Sequence, residues 1–260
     1  MSRNVLSQTA FILAALCLAC ATAFAQADNS RYSLNCRDQY QSDNDDLRGR
    51  HCEVKEQSLA ATGGTLNVDG MQNGSISVKG WERNEILVRY RIQTQAATQA
   101  EADNLASQVR VATAGGQIRA EGPEQRGQSH WSVSYEIFVP HQSNLSLNTH
   151  NGGVSLKRIG GNVTGETVNG GLSVELTGNN WEGEGLNVKT TNGGLAVSIP
   201  ENYSAHLETG TVNGGVVVSP SIAQVTRETK KLSLNLGAGG TNLRIHTTNG
   251  GVSIKRRASN

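Results

Sequence analysis

One short phrase recurs five times in this 260-residue chain and constrains its fold more than any other feature. Each copy reads Thr-x-Asn-Gly-Gly and is followed by alternating aliphatic residues, as in HTTNGGVSI near the C-terminus. The asparagines of the five copies are Asn151, Asn169, Asn192, Asn213 and Asn249, separated by 18, 23, 21 and 36 residues. Self-similarity at a period near ~20 residues is typical of a repeat architecture.

The residues around each phrase predict a strand, a turn and a second strand. An aliphatic residue stands six positions before every asparagine, and further aliphatic residues stand three and five positions after it. The threonine two positions before the asparagine lies on the aliphatic face, because side chains alternate faces along a strand. These threonines are Thr149, Thr167, Thr190, Thr211 and Thr247. We expect their hydroxyls to bond the backbone of the turn, and the turn residues to tolerate positive φ.

The fold class that this pattern favours is all-β, in the form of a β-solenoid. The chain would then be a β-helix-like stack of ~20-residue rungs, in which each strand pairs with its equivalent in the next rung. Glycine pairs such as Gly63-Gly64 and Gly160-Gly161 indicate a second turn in each rung. An antiparallel meander or sandwich remains the alternative, because Asn-Gly is also a strong hairpin signal.

One short helix is predicted beside the stack, over Thr98 to Gln108. Its apolar stripe consists of Ala102, Leu105, Ala106 and Val109. A helix of this length gains most of its stability by docking, so we expect it to flank the sheet.

The ends of the chain predict export. Residues 1–25 combine Arg3, an apolar run and Ala-Phe-Ala, as in a signal peptide, with lipid attachment at Cys20 as a weaker alternative. Residues 26–57 form an N-terminal segment, 58–256 the β-strand-repeat domain and 257–260 a tail. Cys36 and Cys52 are the remaining cysteine pair, and a disulfide is expected because exported proteins meet an oxidising compartment.

The charge balance excludes several classes of partner. Without residues 1–25 the chain carries 22 basic and 22 acidic residues, so nothing attracts nucleic acid. No second long apolar run follows the first, and we expect no membrane insertion after signal removal.

No convergent set of catalytic or metal-binding residues stands out in the sequence. The histidines occupy unrelated repeat positions, and the acidic run at 42–46 lacks the glycine and the final glutamate of a calcium loop. We therefore predict no catalytic residue, no metal site and no cofactor. Glu166, Glu175, Glu182 and Glu184 are the carboxylates that a glycan-active β-helix enzyme would need, if they met in a groove.

Three tryptophans are the candidates for a binding surface. Trp81, Trp131 and Trp181 would stack on sugars or anchor a protein if they were exposed on a rigid stack. Packing over one end of the core is the alternative for each of them. Trp181 lies in NNWEGEG, an insertion that interrupts the repeat.

The run VSYEIFVPHQSNLSLNTHNGGVSL resembles the bacterial DUF4097 family of exported β-strand-repeat proteins, whose members commonly carry the label adhesin. The resemblance runs from about Leu59 to Lys255 and includes the helix and the repeated phrase. It implies a β-helix-like fold and supplies no catalytic residues.

Together these features predict an exported, non-enzymatic structural or adhesive module of the periplasm or cell surface. It would bind a surface protein or a polysaccharide through a sheet face or exposed aromatic residues. The alternatives are a glycan-active enzyme or carbohydrate-binding protein, and an accessory of envelope-stress signalling.

Overall fold

A computed structural model describes residues 33–36, 48–219 and 229–258. The predicted signal peptide, Cys20 and the acidic run at 42–46 lie outside these residues. The predicted helix is confirmed as α1, Gln99–Gln108. The strands are β1 Gly49–Ala60, β2 Leu66–Asp69, β3 Ile76–Trp81, β4 Glu85–Ala96, β5 Arg110–Ala112, β6 Gln117–Glu121, β7 His130–Pro140, β8 Leu145–Thr149, β9 Val154–Lys157, β10 Asn162–Asn169, β11 Leu172–Glu175, β12 Gly185–Asn192, β13 Leu195–Pro200, β14 Ala205–Asn213, β15 Val216–Ser219, β16 Lys231–Leu236, β17 Asn242–Asn249 and β18 Val252–Arg257.

The strands form two nine-stranded sheets, here called sheet A and sheet B. Sheet A has the order β1-β4-β7-β3-β9-β11-β13-β18-β15, and sheet B has the order β16-β14-β17-β12-β10-β8-β2-β6-β5. Each repeat contributes one strand to sheet B, turns at Asn-Gly-Gly and contributes the next strand to sheet A. The all-β stack predicted from the sequence is therefore confirmed, with the turn as the corner of a rung.

Equivalent residues of neighbouring repeats lie side by side. Val163 is aligned with Leu145 on one side and Leu186 on the other, and all three strands run parallel. The alternative of an antiparallel meander is therefore wrong for the repeats. Antiparallel pairs occur at the two ends of the stack, as β1–β4–β7 and β5–β6 at one end and β14–β16 at the other.

The order of rungs in space differs from their order in the chain. The last rung, β17–β18, lies between the rung β12–β13 and the rung β14–β15. After β12–β13, the chain forms the rung β14–β15 at a distance that leaves room for one further rung. Strand β16 then pairs with the outer edge of β14, and β17–β18 occupies the space between the two rungs. The 36-residue interval between Asn213 and Asn249 accommodates this detour.

The core lies between the inner faces of the two sheets. It contains the aliphatic residues at the repeated positions, such as Leu147, Val163 and Leu243, each at 0% exposure. The five repeat threonines are also buried there. Burying an aliphatic side chain of this size contributes about 1.5 to 3 kcal/mol, so each repeat adds several such contributions to folding.

The first glycine of each corner has no room for a side chain. A Cβ atom on Gly193 would overlap the carbonyl oxygen of Gly170 in the neighbouring rung, and a Cβ atom on Gly170 would overlap that of Gly152. The second glycine is less constrained, since a Cβ atom on Gly194 would lie 3.6 Å from its nearest neighbour. Close stacking of the rungs, rather than the turn itself, requires the first glycine.

The repeat threonines bond across rungs. The Thr190 hydroxyl donates to the Gly170 carbonyl oxygen at 2.7 Å, and the Thr167 hydroxyl donates to that of Gly152 at 2.7 Å. Thr149 and Thr247 make the same bond at 2.6 and 2.7 Å. Thr211 differs, since its hydroxyl reaches the Thr248 carbonyl oxygen at 3.4 Å. The hydroxyls therefore bond the turn of the adjacent rung and satisfy buried carbonyl groups there.

The corner asparagines form a continuous ladder along the surface. Each Nδ2 donates to the Oδ1 of the next asparagine, with distances of 2.7 to 3.0 Å. The ladder runs in the order Asn213, Asn249, Asn192, Asn169, Asn151 and Asn73. Its sixth member, Asn73, belongs to the degenerate repeat MQNGSISV.

The expectation of positive φ at these asparagines is wrong. Outside glycine, the described residues adopt positive φ only at Met71 and Arg158. Asn169, Asn192, Asn213 and Asn249 are the last residues of their strands. The asparagine recurs because an amide inside the ladder donates to one neighbour and accepts from the other.

Helix α1 covers part of the inner face of β1 and β4. Thr98 is its N-cap and forms a capping box with Glu101. Ala102, Leu105 and Ala106 are the buried residues of the helix itself. The Thr94 hydroxyl donates to the Ala102 carbonyl oxygen at 2.7 Å. The helix therefore flanks the sheet, as its apolar stripe predicts.

We predict that Gly193→Ala destabilises the protein by at least about 2 kcal/mol, because its methyl group would force two rungs apart. Gly194→Ala is the matched control in the same corner, and we expect a change within about 0.5 kcal/mol. Urea unfolding of both variants measures the difference. Equal effects would show that turn conformation, rather than stacking, selects glycine.

We also predict that Asn192→Ala lowers the free energy of unfolding by about 1 to 2 kcal/mol, because it removes two ladder hydrogen bonds. Asn213→Ala at the end of the ladder removes one such bond, and its effect should be about half as large. Unfolding in urea again provides the measurement. Equal losses at the two positions would contradict a contribution to stability from each ladder hydrogen bond.

Candidate functional site

The outward side chains of sheet B form an exposed polar surface of the repeats; we call it the open face. Parallel strands about 4.8 Å apart carry these side chains in rows across the sheet. One row has Ser146, Thr164, Asn187, Arg244 and Glu208; the next has Asn148, Glu166, Lys189 and His246. The side chains differ from strand to strand along each row, in contrast to the corner, although Ser146 and Thr164 both carry hydroxyl groups.

Charges of both signs alternate on the open face. Lys189 pairs with Glu166 across β12 and β10 at 3.0 Å, and Arg244 pairs with Glu208 across β17 and β14 at 2.7 Å. The Arg244 hydrogen bond is the main reason that the pKa of Glu208 is lowered. These exposed pairs add little stability but define an electrostatic pattern on the surface.

A shallow groove of about 400 Å³ crosses one part of the open face. Asp69, Arg119, His150 and Glu166 line it together with Met71. Met71 is one of two non-glycine residues in the described ranges with positive φ, at 54°. The Asp69 carboxylate accepts a hydrogen bond from the Met71 backbone N–H at 2.8 Å. The groove therefore combines polar and apolar contacts within reach of a single ligand group.

The outer face of sheet A differs because residues 33–36 cover its β4–β7 end. We call these residues the clasp. The Ser33 backbone N–H and hydroxyl both donate to Glu136 Oε1 at 2.8 Å, and Arg91 donates to the Asn35 carbonyl oxygen at 2.8 Å. The disulfide between Cys36 and Cys52, which the sequence predicts, ties the end of the clasp to β1.

Glu136 is a buried carboxylate beneath the clasp. Lys79 and Arg89 each contact it at 2.6 Å. Burial alone would raise the pKa of this carboxyl, but the Lys79 hydrogen bond and those from Ser33 outweigh burial and lower the pKa to about 2. The group is therefore ionised and fully partnered, as a structural ion cluster requires.

The tryptophans do not form an exposed surface. Trp181 is 4% exposed and Trp131 is 7% exposed, and their indole N–H groups donate to the carbonyl oxygens of Gly161 and Pro123. The interpretation of these two residues as a binding surface is therefore corrected: they pack in the core, and the insertion around Trp181 turns its ring inward.

Trp81 is half-buried on the outer side of sheet A. Its ring lies 5.4 Å from that of Phe138, and the Arg83 guanidinium lies 4.9 Å above it. Its indole N–H donates to the Glu85 carbonyl oxygen at 2.9 Å. Trp81 is thus the one predicted aromatic contact that retains exposed area.

A cleft of about 730 Å³ lies at the side of the stack opposite the asparagine ladder. Leu59, Ile86 and Pro140 supply its apolar lining, and Asn84 and Asn144 supply amides. Among the described residues that line it, none is aromatic and none is charged. A sugar site usually offers aromatic stacking, and a glycosidase needs carboxylates, so the cleft favours neither chemistry.

The predicted carboxylates do not meet in a groove. Glu166 lies on the open face, whereas Glu175 lies on the outer side of sheet A, where it pairs with Lys157 and Arg257 at 3.0 and 2.9 Å. Glu184 accepts a hydrogen bond from Asn162, and Glu182 accepts one from Gln142. These four glutamates are therefore not brought together in one groove.

One side-chain group has the spacing of a nucleophile and its base. Ser233 Oγ lies 3.2 Å from His206 Nε2, and His206 Nδ1 lies 2.7 Å from Asn235 Oδ1. These residues lie on the exposed ribbon β14–β16, and none of them lines the groove or the cleft. We interpret them as a surface hydrogen-bond network.

The described residues contain no group of three or more His, Cys, Asp or Glu side chains arranged to hold a metal ion. Among the same residues, no helix has the length and hydropathy needed to cross a membrane.

Comparison with known proteins gives a family and a fold. The family model described as "Toastrack DUF4097" matches residues 38–255. A solved "putative cell adhesion protein" from Clostridium sporogenes superposes with a TM-score of 0.55 at 12% identity, over 80% of this chain and 100% of that one. A "putative adhesin" from Parabacteroides distasonis matches with a TM-score of 0.27 at 9% identity, over 78% and 97%. No curated protein matches the chain at a significant level.

We predict that Glu136→Gln destabilises the protein at neutral pH by about 2 to 3 kcal/mol. A carboxyl with a lowered folded pKa stabilises above its unfolded pKa, near 4.5, and loses this contribution as the pH falls towards about 2. The two proteins should therefore converge in stability between pH 4.5 and pH 2. Unfolding curves at several pH values test this, with Glu166→Gln on the open face as control. A pH-independent difference would contradict the role of the charge.

Proposed function

This chain belongs to the DUF4097 (Toastrack) family, and from that membership we propose that it is an exported, non-enzymatic adhesive module of the cell envelope. It binds a surface protein or a polysaccharide through the open face of sheet B. Residues 1–25 act as its signal peptide, and the mature protein stays in the periplasm or at the cell surface.

The single observation that carries this proposal is the contrast between the corner and the open face. The corner repeats the same asparagine and glycine in every rung, because stacking demands them. The open face changes its side chains from rung to rung and remains exposed, so stacking does not determine its chemistry. A rigid lattice that carries varied polar groups is suited to recognition of an extended partner.

The other surfaces support the choice of the open face. The clasp covers part of the outer side of sheet A, and one row beside it carries the small residues Ser155, Ser173 and Ala196. The next row there includes Lys157 and Glu175, which pair with each other at 3.0 Å. The open face offers both charge signs and the groove at Asp69 and Arg119.

The disulfide and the adhesin descriptions of related structures support export and surface binding. Disulfides persist in oxidising compartments outside the cytoplasm. The Clostridium sporogenes structure shares this fold, and its description as a cell adhesion protein agrees with a binding role. The dispersed carboxylates argue against the glycan-active alternative.

Two adjacent arginines on the open face should weaken adhesion. The variant Thr164→Arg with Asn187→Arg places them side by side on β10 and β12, where each is exposed. We expect binding of the labelled protein to isolated cell envelopes of the producing organism to fall about tenfold or more, because bulky charges disrupt a complementary contact.

The matched control is Ser173→Arg with Ala196→Arg, which places the same pair on β11 and β13 of the same rungs. These positions lie on the outer side of sheet A, and binding should stay unchanged. Equal binding by both variants would exclude the open face, and equal loss would indicate a nonspecific charge effect.

A further inference from the structure

The two edges of sheet B differ in a way that bears on assembly. One edge is β5, a strand of three residues that begins with Arg110. The other is β16, six residues long, with the sequence KLSLNL. Proteins protect exposed edges with short strands and charges, and among the described residues of β16 the only charged one is the lysine at its start.

The hydrogen-bonding groups of β16 that point outward follow from its register with β14. The Thr211 N–H donates to the Lys230 carbonyl oxygen at 2.8 Å, which makes this a hydrogen-bonded pair. Such pairs alternate along an antiparallel ladder, so the backbone N–H and C=O groups of Lys231, Ser233 and Asn235 face away from β14. In the described part of the chain, no strand pairs with this side.

The side chains of β16 complete a self-complementary edge. Leu232 and Leu236 face the core at 7% exposure each, while Leu234 is only partly buried against it. An added strand would cover Leu234. The occupant must therefore offer a strand with apolar residues on the inner side.

We propose that a second copy of this chain is that occupant, and that two β16 strands pair antiparallel about a two-fold axis at Ser233. This register sets Lys231 opposite Asn235 of the second copy and aligns Leu232 with its Leu234. An axis at Lys231 would bring two ammonium groups face to face, and an axis at Asn235 would extend the pairing into the glycine turn at 237–240. The axis at Ser233 uses the whole strand.

The dimer would join the two B sheets into one continuous sheet. The open faces of both copies would then lie side by side, which would double the surface available to a repetitive partner. The pairing itself does not depend on what the open face binds.

A charge introduced at the axis tests the proposal, because the two copies of residue 233 would lie opposite each other. Analytical ultracentrifugation of the full exported chain should show a concentration-dependent dimer. Ser233→Lys and Ser233→Glu should each weaken the dimer about fivefold or more, and an equal mixture of the two should restore it as a heterodimer. Ser233→Ala should leave the dimer intact.

The outcomes are distinct. A wild-type chain that stays monomeric over the whole concentration range overturns the proposal, as does a dimer that Ser233→Lys leaves unchanged. Thermal unfolding of each variant shows whether it is folded, and recovery in the mixture excludes a folding defect. Loss of adhesion in the open-face variant with an intact dimer would separate this inference from the proposed function.

Discussion

The contact between the first corner glycine and the carbonyl group of the neighbouring rung is the constraint on which the structure depends. At Gly193 the backbones approach so closely that a methyl group has no place. This approach lets Thr190 reach the Gly170 carbonyl oxygen from inside and lets Asn192 reach Asn169 from outside. Aliphatic burial drives the sheets together, but the corner fixes the alignment of each rung with the next, since a shift by one residue would expose the core positions.

Much of the stack could be predicted from the sequence because its determinants are local and repeated. The aliphatic positions, the inward threonine and the flanking helix all follow from periodicity, and the structure confirms them. The prediction that the asparagines recur because they adopt positive φ is wrong, because each asparagine meets its copies only after the rungs assemble. A spacing pattern records that a residue is required, but it does not distinguish a turn conformation from a contact with a residue 57 positions away, as between Asn249 and Asn192.

The candidate surface was less predictable than the fold. The tryptophans are large and amphipathic, and their sequence context does not decide whether an insertion projects outward or folds over the core. Trp181 folds inward because its indole N–H finds the Gly161 carbonyl oxygen. The Glu136 cluster had one available signal, a lone carboxylate within the apolar run VSYEIFV, but its partners Lys79, Arg89 and Ser33 come from distant segments. The side chains of the open face carry no periodic signal.

The displaced position of the last rung has a consequence for how the molecule is made. Because β17–β18 fills a gap between two rungs that precede it in the chain, β14–β15 has no parallel neighbour until the C-terminal strands arrive. A ribosome or a translocation channel delivers these two strands after the rungs that they separate. Strands β17 and β18 therefore close the gap: a chain that lacked them would have two open edges in each sheet, at β12 and β14 in sheet B and at β13 and β15 in sheet A.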